Sequence, residues 1–419
     1  MVFKKSGFTR ITLSIVFIAV LAGCSGDIKQ DAINPGESKG TAIEQPKQPV
    51  ELVFYSSNGD SEESFNVRFG DAIRKKFPDY TIKYIRRYMG SSELQHLIAS
   101  STKIDIYFDS IGNYESQMFD NGLQVDMTDL IRKHNLDLTR FEPSIIEAMK
   151  QISDGKMYGL PVFNNSTNLY YNKSIFDKFG IPYPKDGMTW DDLLELSKKM
   201  NRMDEGKQYY GFSSSPNHIL RMNQLSIPNV DLTTDTPTIN KDERWKQFFE
   251  AVFIKPAEDP GYKDNKKLPP ISYFIKDQTL AMYTFLSSMP LILPNEMKAL
   301  DWDMVSLPTF KSMPGIGSQA YPSYFGITKF TENRDAAMEV LKYLTSEQFQ
   351  MELSRQGIMT VLNNPSIKSS LGQDSPFKGK NYKAVYYNQF APIAPRAKYD
   401  VQLVANYSAL IGFRFHGHD

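Results

Sequence analysis

The chain runs to 419 residues, and its 48 lysines and arginines balance 48 aspartates and glutamates, so no bulk charge draws it toward nucleic acid. An apolar share of 41% and a charged share of 23% describe a globular protein long enough for more than one domain, and exclude a disordered or membrane-embedded chain. One cysteine and five scattered histidines leave no disulfide framework and no Cys-based zinc ligand set; His416 and His418 form an H-x-H pair that reads as a loose tail, so no metal and no cofactor is expected.

The first segment, MVFKKSGFTR, carries Lys4, Lys5 and Arg10 and no acid, and ITLSIVFIAVLA follows as an apolar run of twelve residues. A membrane span needs roughly twenty, so the run fits the apolar region of a secretory signal peptide. It ends Leu21-Ala22-Gly23-Cys24, which resembles the bacterial lipobox, where the cysteine thiol receives diacylglycerol and becomes the new N-terminus. The other reading of Cys24 is a buried thiol behind an apolar helix; the order of basic start, short apolar run, L-A-G-C and polar tail favours the lipid anchor. Residues 1–23 are therefore expected to be a lipoprotein signal peptide. Residues 24–49, rich in Gly, Ser, Gln, Lys and Pro, cannot bury enough surface to fold and are expected to be a flexible tether.

Globular patterning begins at VELVFYSSNGD, whose near-continuous apolar run suits a strand buried on both faces of a parallel sheet. Phe65, Phe69, Ala72, Ile73 and Phe77 then recur at helical spacing up to Pro78, with Asp60 and Glu63 suited to cap the helix start. YTIKYIRRY (strand), SSELQHLIAS (helix) and IDIYFDS (strand) complete a β-α-β-α-β lobe. In IRRY, Arg86 and Arg87 face opposite sides of the strand, which makes a nucleic-acid patch a poor reading. Asp154-Gly155 marks a hairpin-like turn before a short strand. NLYYNKSIFDKFGIPYPKDGMTWDDLLELSKKM gives a strand, a short helix, a Pro-rich loop and a helix capped by Thr189 with Asp192. DQTLAMYTFL reads as a short helix running into a strand, DWDMVSLPTF and SYFGITKF as further strands, and TENRDAAMEVLKYLTSEQFQMELSRQG as two helices, the second boxed by Thr345 and Gln348 and closed by Gly357. Trp190, at a helix start, and Trp302, at a strand start, are expected to pack in cores.

The ordered segments DGKMYGLPV, LYYNKSIFDKFGIPYP, TWDDL, DQTLAMYTF, WDMVSLPTF and YFGITKFTENRDAAMEVLKYL, behind a lipobox, resemble the family 1 extracellular solute-binding proteins of bacterial ABC importers, the maltose-binding-protein-like carbohydrate binders. The resemblance spans residues 50 to about 400 and implies an α/β, two-lobe periplasmic-binding-protein-like fold (type II), with the ligand held between lobes joined by crossover hinge strands. It implies lobe 1 at 50–163 and 303–370 and lobe 2 at 164–302 and 371–419, the first crossover falling near Pro161 to Asn168 and the return around residues 301–325. It also implies a carbohydrate ligand, ABC permease subunits as partners, a monomer, and a place on the outer face of the cytoplasmic membrane. One departure is the end of the chain: VQLVANYSALIGFRFHGHD starts like the family's terminal helix and loses helical patterning at GFRFHGHD.

In open α/β sheets ligands gather at the carboxyl ends of strands. That rule selects Ser57, Asn58, Asp60, Glu62 and Glu63 after the first strand, Asp109, Ser110 and Asn113 after the third, and Asn164, Asn165 and Ser166 in the crossover. Such polar groups suit paired sugar hydroxyls, while rings cover the apolar sugar face; the expected platforms are Tyr283, Phe285, Tyr321, Tyr324 and Tyr399. Capping is an equal reading for Asp60 and Glu63, and a competing one for Asp109. There is no G-x-S-x-G elbow, no H-E-x-x-H and no Walker sequence, Gly315 to Gly317 is too short for a dinucleotide loop, and the pairs Glu62-Glu63 and Asp191-Asp192 sit at helix starts where the dipole accounts for them. A binder rather than an enzyme is expected, with a non-transporting surface sensor of the same fold, and more remotely a glycoside-processing enzyme, as alternatives.

Overall fold

The computed structural model describes residues 49–90, 92–265 and 268–396; the signal peptide, Cys24, the tether, Tyr399 and the chain end all lie outside them. Ten strands form two five-stranded sheets: β1 (Val50–Tyr55), β2 (Tyr80–Ile85), β3 (Ile106–Ser110), β4 (Leu160–Phe163), β5 (Thr167–Asn172), β6 (Arg202–Asp204), β7 (Lys207–Ser214), β8 (Leu280–Leu286), β9 (Trp302–Ser306) and β10 (Ser323–Ile327). The first sheet has the order β2-β1-β3-β10-β4, with β1 parallel to both neighbours and β10 antiparallel to β3 and β4. The second has the order β9-β5-β8-β7-β6, with β8 parallel to β7 and antiparallel to β5. The mixed α/β character is the one expected from the alternation of strand and helix patterns, and the two lobes are those the family resemblance implied.

The inner strands of both sheets are covered on both faces, which explains why β1, β8 and β10 read as apolar runs, while the edge strands β2 and β6 keep exposed polar residues. In β5, Leu169 and Tyr171 enter one core with Trp190, Phe212 and Trp245, while Tyr170 between them enters another with Trp302, Met304 and Phe377. Trp302 is wholly buried, and the Trp190 indole donates to Gln224 Oε1 at 2.8 Å from inside its core, so both tryptophans pack as expected. In the first sheet, Phe54, Phe65, Phe108 and Phe325 stack at the centre of a single large core.

Local signals were mostly placed within a residue. Thr189 and Asp192 form a reciprocal capping box on the helix Trp190–Met200. Gly357 ends the helix Glu347–Gln356 in the left-handed region, at φ 100°. The cap at that helix's start is Ser346, not Thr345; the Thr345 hydroxyl instead turns back to Leu341 O at 3.0 Å, finishing the helix before. Likewise Ser61, not Asp60, caps the helix Glu62–Phe65, because Asp60 is drawn into an ion pair with Arg68. Asp154 and Gly155 both adopt positive φ, in a turn that joins a helix, not a strand, to β4.

The chain passes between the sheets three times. It leaves the first sheet after β4 through Asn164-Asn165-Ser166 and returns between β9 and β10; β9, expected to begin the return to the first lobe, pairs with β5 in the second sheet. A third passage follows Ile367, which still packs in the first core, and takes the chain to the side of β9, where Leu371, Phe377 and Tyr382 join the Trp302 core. The crossover segments are tied to their neighbours: Asn164 N donates to Met359 O at 3.0 Å, Tyr321 N to Asn165 O at 2.9 Å, and Ser287 N to Ser166 O at 2.8 Å. A bundle of short connections that bends at few residues lets two rigid lobes move as bodies.

Candidate functional site

A cavity of about 860 Å³ opens between the lobes, lined by residues of both and by the crossover segments. Its first wall is built at the carboxyl ends of β1 and β3. Asn58, Asp60, Ser61, Glu63, Ser64 and Arg68 line it from the loop and helix after β1, and Ser110 and Asn113 from the helix start after β3. Asp60 and Arg68 form an ion pair; the Arg68 guanidinium also donates through Nε to Ser64 O at 3.2 Å and lies over Phe69, 5.1 Å from its centroid. Asp60 and Arg68 thus neutralise each other, while Glu63 stands exposed beside them.

Asp109 stands behind the wall rather than in it. The side chain is wholly buried and accepts from Ser110 N at 2.7 Å, Tyr107 OH at 3.0 Å and Asn113 Nδ2 at 3.4 Å. Burial pushes its carboxyl up to about 6 against the pull of those hydrogen bonds. Successive strand residues face opposite ways, so Asp109 holds in place the two residues, Ser110 and Asn113, that do reach the cavity.

The second wall comes from the helix Pro216–Arg221 after β7 and from the end of β8. Asn217, His218 and Arg221 line the cavity from the helix, and Leu286, Ser287, Ser288 and Asn295 from the segment after β8. His218 is held through Nδ1, 2.6 Å from Ser215 Oγ, and stands edge-on to Phe285 at 4.8 Å. Burial, with a smaller push from Arg221, lowers its pKa to about 4, so the imidazole is neutral at neutral pH. Phe285 stacks on Tyr283, and Tyr283 on Phe274, in a ladder running back from the wall.

Arg221 spans the cleft. Its Nη1 donates to Tyr321 OH at 3.3 Å, and Ser110 Oγ of the opposite lobe donates to the same hydroxyl at 3.2 Å. The guanidinium comes so close to the helix Ile111–Met118 that a Cβ at Gly112 would lie 2.3 Å from Nη1. Only glycine leaves room there for this approach.

Of the residues expected from strand ends and rings, Asn58, Asp60, Ser110, Asn164, Asn165 and Tyr321 meet around the cavity. Glu62 is exposed and outside it, its neighbour Glu63 lining instead. Tyr283 is buried one layer behind His218, and Tyr324 is wholly buried with its hydroxyl on Ile145 O. The rings that do line the cavity are Phe163, Tyr321 and the His218 imidazole; most of its apolar surface is aliphatic, from Val67, Leu286, Leu291, Ile292, Ile358 and Met359. Arg68, His218, Arg221 and Ser287 were missed. The strand-end rule, extended to YYGFSSS followed by PNHILR, would have found His218 and Arg221.

A family model described as bacterial extracellular solute-binding protein matches residues 69–376. The arabinooligosaccharide-binding protein of Bacillus subtilis is 27% identical over 206 residues, 48% of this chain. That match reaches 43% of the relative's length, so the chain aligns with less than half of it. Among solved structures, an ABC substrate-binding protein from Listeria monocytogenes in complex with cycloalternan superposes with a TM-score of 0.67 at 17% identity, covering 89% of this chain and 95% of that one. A sugar transporter from Rhizobium etli in an open conformation gives a TM-score of 0.66 at 18% identity, covering 88% and 95%. At such identities these two structures speak for the fold.

Proposed function

Because the chain belongs to the bacterial extracellular solute-binding proteins, we propose that it captures a sugar or oligosaccharide between its lobes and delivers it to the membrane subunits of an ABC importer. The observation that carries this reading is the cavity of about 860 Å³, which takes polar side chains from both lobes and sits on the three-strand hinge. Its volume lies in the range of small-molecule ligand sites, roughly 300 to 1,000 Å³. The names of the Bacillus subtilis and Listeria monocytogenes proteins support a saccharide as the ligand class. Asn58, Asp60, Ser110, Asn164, Asn165 and Tyr321 are the proposed ligand contacts, with Ser287 and Asn295 added from the second wall. The protein binds and releases its ligand unchanged; turnover of a saccharide by the purified chain would contradict this.

Lipidation at Cys24 holds the receptor, as a monomer, on the outer face of the cytoplasmic membrane beside its permease. A Cys24→Ala chain is expected to fold and bind normally but to leave the membrane fraction; retention there would remove the anchor from the account. The binding claim is tested by a thermal-shift screen over mono- and oligosaccharides. A ligand present at about 100 times its dissociation constant adds roughly 2.7 kcal/mol of stability. A shift with peptides or another solute class, and none with any carbohydrate, would overturn the sugar assignment.

A further inference from the structure

Asp60, Glu63, Arg68 and Arg221 are the charged residues around the cavity once neutral His218 is set aside. Arg68 is matched by Asp60. Among the described residues no carboxylate matches Arg221, and of its five donor hydrogens one is employed, on the Tyr321 hydroxyl. Its Nε is buried with no hydrogen-bond partner among those residues. The guanidinium also lies against the first turn of the helix Ile111–Met118, whose dipole end is itself positive. An unpaired, partly desolvated cation beside another positive end is costly, and a polar group with lone pairs on the ligand would relieve it. Beside it on the same helix face, His218 keeps Nδ1 on Ser215 and turns the rest of its ring to the cavity.

From this geometry we infer, building on the saccharide reading above, that Arg221 with His218 forms a subsite for an anionic substituent on the ligand, a sugar carboxylate or a sugar phosphate ester. A planar guanidinium accepts either through paired hydrogen bonds. Specificity then follows from the second wall: a neutral sugar of the same shape leaves Arg221 desolvated and unpaired.

The test is calorimetric titration of the full chain and of Arg221→Gln and Arg221→Lys with three probes: digalacturonate, its neutral methyl ester and galactose 6-phosphate. The wild-type chain should favour an anionic probe over the ester by roughly 10- to 100-fold. Preference for digalacturonate assigns a carboxylate, and preference for the phosphate assigns a phosphate ester. Arg221→Gln should abolish the preference without weakening the ester, and Arg221→Lys should restore part of it, with melting temperatures matching the wild type. No preference of the wild type for either anionic probe over the ester, or an equal loss for all probes in Arg221→Gln, overturns the subsite and leaves the saccharide receptor standing. Failure of every saccharide, charged or neutral, overturns the receptor reading and the subsite with it.

Discussion

The two walls of the cleft solve the same problem in opposite ways. The first wall settles most of its charges internally: Asp60 pairs with Arg68, Asp109 is withdrawn behind the surface, where three donors satisfy it, and Glu63 alone stays open to solvent. The second wall rests on packing. An aromatic ladder of Phe274, Tyr283 and Phe285 supports His218, and Arg221 is left with donors to spare. The difference teaches that a polar wall is not uniformly available to a ligand; groups already paired mostly shape the site, and unpaired ones select what enters it.

The comparison breaks most visibly at the ladder. Tyr283→Ala removes a buried ring and should cost about 3 kcal/mol of stability in chemical denaturation, with His218 losing its backing as well. A ladder that tolerates the change at less than about 1 kcal/mol would not be what holds the second wall.

Acid sharpens the contrast, since the two walls respond with opposite sign. Unfolded, the Asp109 carboxyl ionises near 3.9, and folded near 6, so between these values the folded state keeps a proton that the unfolded state has lost. Stability from this group therefore falls as pH rises from about 4 to about 6, by up to about 3 kcal/mol, and Asp109→Asn should remove that slope. For His218 the folded value near 4 lies below the unfolded value of about 6.5, so stability falls as pH drops through that window, and His218→Gln should remove this slope. Denaturant midpoints at several pH values read both. If both variants tilt the profile the same way, the assignment of the two groups is wrong.

Gly112→Ala tests the approach of Arg221 to the opposite lobe. The added methyl meets Arg221 Nη1, the far end of a flexible side chain, and the hydroxyl of the buried Tyr321 ring, each at 2.3 Å. The chain should fold with a melting temperature only slightly lowered while ligand affinity drops about tenfold, or about 1.4 kcal/mol. A loss of stability equal to the loss of affinity would make Gly112 a packing residue. The smallest effect belongs to Asp60→Ala: the pair with Arg68 is part-exposed, and its loss should cost less than about 1 kcal/mol in stability.

The fold was largely legible because β1 and β8 are near-continuous apolar runs broken by a single polar residue each, and such runs occur where helices or loops cover both faces of a sheet. The boundary at β9 was not. DWDMVSLPTF reads as a strand in either lobe, and only its pairing with β5 decides. Capping residues were displaced by one where a neighbour competed, as when Arg68 took Asp60 and left Ser61 to cap. The site was legible on the first wall, where short polar loops follow strands. Tyr283 and Tyr324 misled because a ring near a strand end faces the core as readily as the cleft, and sequence position does not say which. Arg221 lies within reach of the strand-end rule, in PNHILR after YYGFSSS, but its approach to Gly112 of the other lobe is written only in the folded structure.

The central claim is capture between lobes that close. Val67 and Ile292 are exposed, at 63% and 51%, on opposite lips of the cavity, and the chain's single cysteine, Cys24, can be replaced by serine. Spin labels on Val67→Cys and Ile292→Cys report the gap directly by pulsed dipolar spectroscopy. The account predicts that a saturating saccharide, selected in the thermal-shift screen, moves the distance distribution to shorter values. An unchanged distribution with the saccharide bound would contradict it.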